Sequence, residues 1–178
     1  YGFPRGDIRV DVARVNSGTN KVFTIRFTPR QIRTRAVIVH GYMGNSGHYA
    51  DLAATLLAKG TEVILMDLPG HGLSTGSRNN IDSFHEYGDA LSRVISFACG
   101  TDNSVPLAGF GHSTGGSTWL DFLARYPGQA DQVDSIVFAC PLIRPSAWAL
   151  KNGAVGLIVR GPVDIPRIPL VSSGSIGN

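Results

Sequence analysis

The stretch from Val105 to Gly116, which reads VPLAGFGHSTGG, constrains this sequence more than any other. It contains a short apolar run, a Gly-His-Ser-Thr-Gly turn and the beginning of an amphipathic helix pattern. In that context a G-x-S-x-G sequence places a serine on a sharp turn above a sheet. Bulky side chains at Gly111 or Gly115 would collide with the neighbouring strand and helix. The sequence therefore predicts that Ser113 occupies a nucleophile position. The alternative is a glycine-rich turn that carries an incidental serine.

The composition is that of one folded domain. The chain has 178 residues, 43% hydrophobic and 16% charged, and is long enough to bury one sizeable core. Its net charge of +3 comes without a block of Lys and Arg, so we expect no nucleic-acid partner. No apolar run is long enough for a membrane-spanning helix, and no spacing of His, Cys and Glu indicates a metal. We expect Cys99 and Cys140 to be buried thiols rather than a disulfide.

Alternation of apolar and charged residues predicts an antiparallel hairpin with one half-buried face at the start of the chain. Ile8, Val10 and Val12 alternate with charged residues. The segment from Phe23 to Phe27 repeats the pattern after a turn-rich loop at Asn16–Asn20. Four continuous apolar runs then predict strands that are buried on both faces, as in a parallel sheet. These runs are Ala36–Val39, Val63–Met66, Val105–Phe110 and Ile136–Ala139.

Helical patterns fall between these runs. The first begins near Ser46 and ends at Gly60, and the second begins at a capping box of Ser83 and Glu86. The third carries an aromatic stripe that we expect to pack on the sheet, and it ends at Pro127–Gly128. The sequence therefore predicts an α/β fold. It has a doubly wound, mostly parallel sheet with helices on both faces and an N-terminal antiparallel hairpin.

A second motif, His40-Gly-Tyr-Met-Gly-Asn-Ser-Gly-His-Tyr49, follows the first buried strand. Gly41 lets the backbone approach a substrate, so the amide of Tyr42 can point at a developing oxyanion. The amide of Thr114, which follows the serine, is its predicted partner. His40 could be a base, but its place at the end of a buried strand favours a hydrogen-bonded scaffold histidine. We expect His112 to pack behind the turn, because neighbouring side chains on a turn point apart.

The third motif is Asp67-Leu-Pro-Gly-His-Gly-Leu-Ser-Thr-Gly76. Asp67 and His71 could form a charge-relay pair or bind a metal. The spacing of Gly70, Gly72 and the proline instead favours a tight loop held by side-chain hydrogen bonds. A phosphate-binding loop is disfavoured because no lysine follows the glycines. We expect the two remaining histidines to be isolated and exposed: His48 and His85.

Together the three motifs resemble those of the α/β-hydrolase superfamily. The resemblance is closest to the monoacylglycerol lipase and lysophospholipase group, also described as serine aminopeptidase-like hydrolases. The group's His-Gly and Ser-Gly-x-Tyr elements are matched at residues 40–41 and 46–49. Its Asp-x-x-Gly-His-Gly-x-Ser-x-Gly element is matched at residues 67–76, and its Gly-His-Ser-x-Gly-Gly element at residues 111–116. The resemblance covers residues 8–145.

The resemblance implies a serine hydrolase that cleaves carboxylic esters of lipids or other hydrophobic acyl groups without a cofactor. It makes Ser113 the nucleophile of an acyl-enzyme mechanism and gives the oxyanion hole to the amides of Tyr42 and Thr114. The remaining motif residues would be a scaffold: His40, Gly41, Asp67, Gly70, His71, Gly72, Gly111, His112 and Gly115. Residues 1–141 would be the N-terminal part of the core. Residues 142–178 would begin a lid that could contact a membrane surface.

The sequence departs from the family pattern in two ways. The Gly-Glu-His that usually precedes the Ser-Gly is Met43-Gly44-Asn45 here, which we expect to alter the mouth of the acyl pocket. The family order is serine, acid, histidine, yet all five histidines precede Ser113, and Asp164 follows no predicted strand. We therefore expect the C-terminal strands to be missing. The acid and histidine would come from a missing C-terminal segment or a second chain.

Three functions remain open from the sequence. The favoured one is a portion of an active esterase. The second is a non-catalytic relative that binds an acyl ligand, and the third is an interaction module that uses the open sheet edge and the apolar tail after Pro145. The chain begins at Tyr1, with neither Met nor a signal-peptide pattern, so we expect a processed or trimmed product. The compartment, cytoplasmic or secreted, is left open.

Overall fold

A computed structural model describes residues 8–100 and 104–143. The strands are β1 (Ile8–Ser17), β2 (Asn20–Pro29), β3 (Thr34–Val39), β4 (Thr61–Met66), β5 (Leu107–His112) and β6 (Val133–Ala139). The helices are α1 (Ala50–Leu57), α2 (His85–Cys99), α3 (Thr114–Arg125) and α4 (Pro127–Ala130), and a 3₁₀ turn at Ser46–Tyr49 precedes α1. Within the described residues the strands form one six-stranded sheet in the order β1-β2-β4-β3-β5-β6.

The sheet is mixed in the way that the sequence predicts. β1 and β2 pair antiparallel, β2 joins β4 antiparallel, and β4, β3, β5 and β6 run parallel to one another. One apolar cluster lies between the sheet and helices α2 and α3, and a second lies beneath α1 on the opposite face. The prediction of an α/β-hydrolase type of sheet with helices on both faces is therefore confirmed. Within the described residues, no helix is both long and apolar enough to cross a membrane.

The hairpin is tighter than the predicted loop at Asn16–Asn20. Ser17 pairs with Asn20, which leaves a two-residue turn whose first residue, Gly18, has a φ of +56°. The face that carries Val10 and Val12 is exposed, so the prediction that these valines lie on a half-buried face was wrong. The reason is that β1 is an edge strand, and α1, the helix on that side, packs over β4 and β2.

The aromatic stripe of α3 packs on the sheet as predicted. Trp119 and Phe122 are fully buried in the cluster that α2 and α3 cover. The Trp119 indole donates a hydrogen bond of 3.1 Å to the carbonyl of Phe110. A Cβ atom at Gly109 would lie 2.7 Å from the Trp119 ring, so this strand position has room only for glycine. Full burial of such side chains stabilises the fold by a few kcal/mol each.

The last strand differs from its prediction. The apolar run Ile136–Ala139 predicts a strand buried on both faces, but Val137 and Phe138, which point to opposite faces, are both exposed. β6 lies at the edge of the sheet, and α3 packs over β5 instead. Cys140, just beyond β6, is an exposed free thiol, so its predicted burial was also wrong. Cys99 is a buried free thiol, as predicted.

A buried polar cluster between α2 and α3 has no counterpart in the sequence interpretation. His85 Nδ1 lies 2.7 Å from Asp121 Oδ1, and Arg125 donates to the second oxygen of Asp121 at 3.3 Å. The Asp121 side chain is only 2% exposed, and a Cβ atom at Gly88 would overlap its carboxylate. The expectation that His85 is isolated and exposed was therefore wrong. Two cations compensate the buried carboxylate when His85 is protonated, and one does when it is neutral.

We expect Asp121→Ala to lower the free energy of unfolding by about 1–2 kcal/mol, because it removes the buried acceptor of His85. Arg125 keeps its ion pair of 2.6 Å with Asp89, so its charge stays compensated. Asp121→Asn, which retains one acceptor oxygen, should lower it less. The measurement is urea denaturation followed by circular dichroism. Asp131→Ala, at an exposed position beside α4, is the control and should change the value by less than about 0.5 kcal/mol. Equal effects of Asp121→Ala and Asp131→Ala would contradict the assignment.

Candidate active site

The candidate site is built around Ser113, which joins β5 to α3. Its φ of +51° and ψ of −116° lie in a region that L-residues rarely adopt, at a strain of about 1–3 kcal/mol. Backbone hydrogen bonds hold this conformation, and the shortest of them are as follows. The Ser113 amide donates to Ala139 at 2.9 Å, and the Ser113 carbonyl accepts from Gly116 at 2.9 Å and Leu142 at 3.0 Å. The residue is half-buried and lies at the carboxyl end of β5.

Glycines allow α3 to begin directly against the sheet. A Cβ atom at Gly111 would lie 2.6 Å from the carbonyl oxygen of Gly115. One at Gly115 would overlap the carbonyl oxygen of Val39 and lie 2.7 Å from that of His40. The structure therefore confirms that a side chain at Gly111 or Gly115 would collide with the neighbouring strand or helix. The close approach brings the N-terminus of α3 to the end of β3.

The turn after β3 lies beside the serine. Val39 of β3 pairs with Gly111 of β5, so both chains leave the sheet side by side. A Cβ atom at Gly41 would lie 3.2 Å from the Cβ of Ser113 and 2.9 Å from Nδ1 of His112. Tyr42, whose amide is a predicted oxyanion donor, is the residue directly after Gly41. The amide of Thr114, on the other side of Ser113, is the first of α3 and has no acceptor within its own helix.

His40 is bound through both ring nitrogens. Its Nε2 accepts a hydrogen bond of 3.0 Å from the amide of Leu68, so Nδ1 carries the proton and donates to the carbonyl of Gly41 at 2.7 Å. The side chain is fully buried, and this burial lowers the pKa of His40 to about 4. A histidine with both nitrogens occupied cannot accept a proton from Ser113. It connects the loop after β4 to the turn after β3.

The carboxylate of Asp67 connects the same two loops a second time. Oδ1 accepts from the amide of Ser46 at 2.6 Å, and Oδ2 accepts from the amide of Leu73 at 2.8 Å. The Asp67 carbonyl also accepts from the hydroxyl of Ser74. A Cβ atom at Gly72 would overlap the carboxylate, and the φ of Gly72 is +51°. Asp67 is almost fully buried, and backbone amides rather than a cation stabilise its charge.

His71 lies in the interior of the same loop. Its Nδ1 lies 2.9 Å from the carbonyl of Pro69, and its Nε2 is buried without a hydrogen-bond partner. The edge of the Tyr42 ring packs against His71, with ring centroids 5.6 Å apart, and the Tyr42 hydroxyl donates to the carbonyl of Asn79. Gly70, with a φ of +74°, forms the turn, and its amide donates to Thr75. Asp67 and His71 do not bond to one another, so they form no charge relay.

The two remaining motif histidines are at the surface. His112 is exposed beside Gly41, so the expectation that it packs behind the turn was wrong. His48 is exposed, as predicted. In residues 8–100 and 104–143 no histidine forms a hydrogen bond with the Ser113 hydroxyl, and no three of the His, Cys, Asp and Glu side chains converge on a metal site.

Three hydrogen bonds of the site were not found from the sequence. The segment after β6 supplies the amide of Leu142 to the carbonyl of Ser113, and its own carbonyl accepts from the hydroxyl of Ser117. The hydroxyl of Tyr42 donates to the carbonyl of Asn79 in the next loop. No local sequence pattern predicts these hydrogen bonds, because the partners are separated by 25 or more residues. Asp164 and the apolar segment from Trp148 to Val159 lie outside the described residues.

The mostly parallel sheet, with a strained serine between a strand and a helix, defines an α/β-hydrolase fold. Solved structures agree. The α/β hydrolase GrgF from Penicillium sp. sh18 is similar with a TM-score of 0.65 and 18% identity, covering 75% of this chain and 46% of that chain. A thermostable carboxyl esterase from Bacillus coagulans has a TM-score of 0.60 and 18% identity, with 75% and 44% coverage. At these identities the likeness shows the fold.

The chain belongs to the family described as serine aminopeptidase S33, whose model matches residues 30–161. It is 32% identical over 108 residues to a monoacylglycerol lipase of Mycolicibacterium smegmatis, covering 61% of this chain and 38% of that protein. It is 34% identical over 135 residues to a monoglyceride lipase of Homo sapiens, with 71% and 44% coverage. The resemblance to the monoacylglycerol lipase group is confirmed. The chain spans about two fifths of the length of these relatives.

The low pKa of His40 makes the stability of the protein dependent on pH. Above pH 6.5, the ordinary pKa of a histidine imidazole, His40 is neutral in both the folded and the unfolded chain. Between pH 6.5 and about 4 the unfolded chain binds the proton and the folded chain does not, so stability falls as the pH falls. We expect His40 to contribute a loss of about 3 kcal/mol across this window. The measurement is urea denaturation at a series of pH values.

His40→Gln is the matched variant, because a neutral amide has a donor nitrogen and an acceptor oxygen but does not titrate. It should be less stable than the natural chain at pH 7 and should lose less stability between pH 6.5 and 4. His48→Gln, at an exposed position, should change the pH profile much less, because the charge of His48 is only a minor influence on the pKa of His40. A profile that is the same in His40→Gln as in the natural chain would contradict the assignment of the low pKa to His40.

Proposed function

We propose that this chain carries the nucleophile and the oxyanion hole of a serine hydrolase that cleaves carboxylic esters of lipids or other hydrophobic acyl groups. The observation that carries the proposal is the conformation of Ser113, at a φ of +51° on the turn between β5 and α3, with Gly41 packed against it. A strained, half-exposed serine at the carboxyl edge of a parallel sheet is suited to nucleophilic attack. The names of the relatives, monoacylglycerol lipase and monoglyceride lipase, support the substrate class.

The proposed reaction begins with attack of the Ser113 hydroxyl oxygen on the ester carbonyl carbon. The serine proton passes to a base, and the carbonyl electron pair moves onto the oxygen. The amides of Tyr42 and Thr114 would donate hydrogen bonds to this oxyanion. Collapse of the tetrahedral intermediate breaks the bond to the alcohol oxygen, which leaves with a proton, and an acyl-enzyme remains. Water then attacks the acyl-enzyme by the same route and releases the carboxylic acid.

We propose that the base which accepts the Ser113 proton lies outside the described residues. His40 uses both ring nitrogens for the scaffold, His71 is buried and His85 is bound to Asp121. We therefore propose that the histidine and its acid come from a missing C-terminal segment or a second chain, and that residues 142–178 begin the lid. Without them turnover should fall by about 10⁴ to 10⁶. Oxyanion donors and binding alone would leave about 10³ over the reaction in water.

A second candidate is a non-catalytic relative that binds an acyl ligand at the same place. The observation in its favour is that no described histidine bonds to Ser113. The two candidates differ in the reactivity of the serine. An activated serine is modified covalently, whereas a serine in a binding protein is not.

A fluorophosphonate probe should label the protein at Ser113, and Ser113→Ala should abolish the labelling. Labelling should be slow in the 178-residue chain and about 10³-fold or more faster in a form that carries the missing segment, because that segment supplies the base. The measurement is the rate of mass increase of the intact protein. Ser77→Ala, at an exposed serine, is the matched control and should be labelled like the natural chain. A folded protein that stays unlabelled in both forms would favour the binding protein.

Gly41→Ala should slow the labelling of Ser113 by about 10-fold or more, because its Cβ atom would push the turn and the Tyr42 amide away from Ser113. Unfolding should change little, since the nearest atom, Nδ1 of His112, belongs to an exposed side chain that can move. Gly128→Ala is the control, because nothing lies within 4 Å of the added Cβ atom there. Equal labelling rates in both variants would show that this turn does not assist the reaction.

A further inference from the structure

The first strand, β1, forms an open edge of the described sheet. It is ten residues long and pairs on its inner side with β2. On one face Val10 is 49% exposed and Val12 is 62% exposed. On the other face the exposed side chains of Arg9 and Asp11 form an ion pair of 2.9 Å. A long edge strand with exposed apolar side chains is a template on which another strand can pair.

The hydrogen bonds of the neighbouring strand show which backbone groups of β1 point outward. The carbonyl of Phe23 in β2 accepts from the amide of Asp67, which follows β4 on the side away from β1. Backbone groups of successive residues alternate between the two sides of a strand, so the other odd-numbered residues of β2 also direct theirs away from β1. Ile8, Val10 and Val12 pair with three of these residues. Their backbone groups therefore point outward, toward any strand that pairs with this edge.

Charges on an edge strand usually oppose such pairing, but the order of charges in β1 permits it in one arrangement with a second copy. Two identical antiparallel strands pair symmetrically about one residue, so that residues with outward groups face each other. When that residue is Val10, Arg9 of each copy faces Asp11 of the other. Symmetry about Arg9 or Asp11 would instead place identical charges opposite each other. Symmetry about Val12 would leave Asp11 opposite Ala13.

The arrangement centred on Val10 also matches the apolar side chains and the backbone. Val10 lies opposite Val10 of the second copy, and Val12 lies opposite Ile8 of that copy. The apolar side chains of both copies then form one stripe on the same face. The outward N–H and C=O groups of these residues face one another and can form the hydrogen bonds of an antiparallel ladder. The exposure of both valines leaves room for this contact.

We propose that β1 is a dimer interface, at which a second copy of this chain pairs antiparallel about Val10. The six strands of each copy then form one continuous sheet. β1 runs in the same direction as β3 to β6, so the parallel strands of the two copies run in opposite directions. The two Ser113 residues, which follow β5, therefore lie at opposite ends of the joint sheet. The interface leaves both of them uncovered.

Sedimentation velocity of the 178-residue chain tests the proposal. Between about 1 and 300 µM the chain should pass from a monomer of 18.9 kDa to a dimer, because a short strand interface binds weakly. Val10→Pro should raise the Kd at least about 10-fold, since it removes the central outward N–H and spares the hydrogen bonds of the hairpin. Val10→Thr, which keeps the N–H and the branched shape, should stay within about threefold of the natural chain.

Charge reversal is a second test that introduces no proline. Arg9→Asp and Asp11→Arg should each raise the Kd about 10-fold or more, because each places like charges opposite one another. An equal mixture of the two variants should associate again as a dimer with one chain of each, since one edge is then acidic and the other basic. Native mass spectrometry identifies this mixed dimer. Circular dichroism should show that both variants are folded, because the ion pair that they lose is exposed.

Val137→Lys, in the other edge strand of the described sheet, is the control and should leave the Kd of the dimer unchanged. The proposal is overturned if the chain stays monomeric over the whole range, or if Val10→Pro and Arg9→Asp dimerise like the natural chain. A dimer that is lost in Val137→Lys alone would overturn it too and place the contact at β6. None of these measurements depends on the reactivity of Ser113, so the interface and the proposed function can fail independently.

Discussion

The buried carboxylate of Asp67 is the interaction on which the geometry of the site depends. Each of its oxygens accepts a backbone amide from a different loop, Ser46 from the loop after β3 and Leu73 from its own loop after β4. An ionised carboxylate that accepts amide hydrogen bonds forms stronger bonds than a neutral acceptor does. It therefore holds together two segments that have no regular secondary structure. The buried imidazole of His40 adds a neutral bond across the same junction.

The hydrogen bonds of Asp67 and His40 help to stabilise the strained backbone of the site. Ser113 and Met43 both have a positive φ, and each would relax to a commoner conformation if its surroundings allowed it. Around Ser113 the surroundings are α3, the end of β6 and the residue after Pro141, each joined by a backbone hydrogen bond. Around Met43 they are the Gly41–Gly44 turn and the loop that Asp67 anchors. In the proposed function, such loops would hold the serine and the two oxyanion amides in place before a ligand arrives.

What could be predicted from the sequence is what depends on local order along the chain. Apolar runs and helical stripes predict the strands and helices, and the glycines around Ser113 and Asp67 predict tight loops, because periodicity and backbone freedom are local properties. The predictions that were wrong depend on which residues are neighbours in the folded structure. The run at Ile136–Ala139 resembles an interior strand, yet its exposure follows from its place at the sheet edge. Asp121, the partner of His85, is 36 residues away along the chain, so no local sequence pattern predicts this contact.

The position of β6 has a consequence for the behaviour of the chain in solution. Its inner side pairs with β5, and it forms the edge of the described sheet with Val137 exposed on one face and Phe138 on the other. Natural edge strands discourage contact with a second molecule by means of charges, prolines or bulges. β6 has one charged residue, Asp134, and an irregular register at that residue, whereas residues 135–139 contain neither a charge nor a proline. Within the described sheet, residues 135–139 are therefore the part of this edge with the least protection against pairing with another strand. We expect the concentration at which this chain begins to associate beyond a dimer to be set by backbone pairing at β6, and to respond more to a lysine introduced there than to a change in net charge.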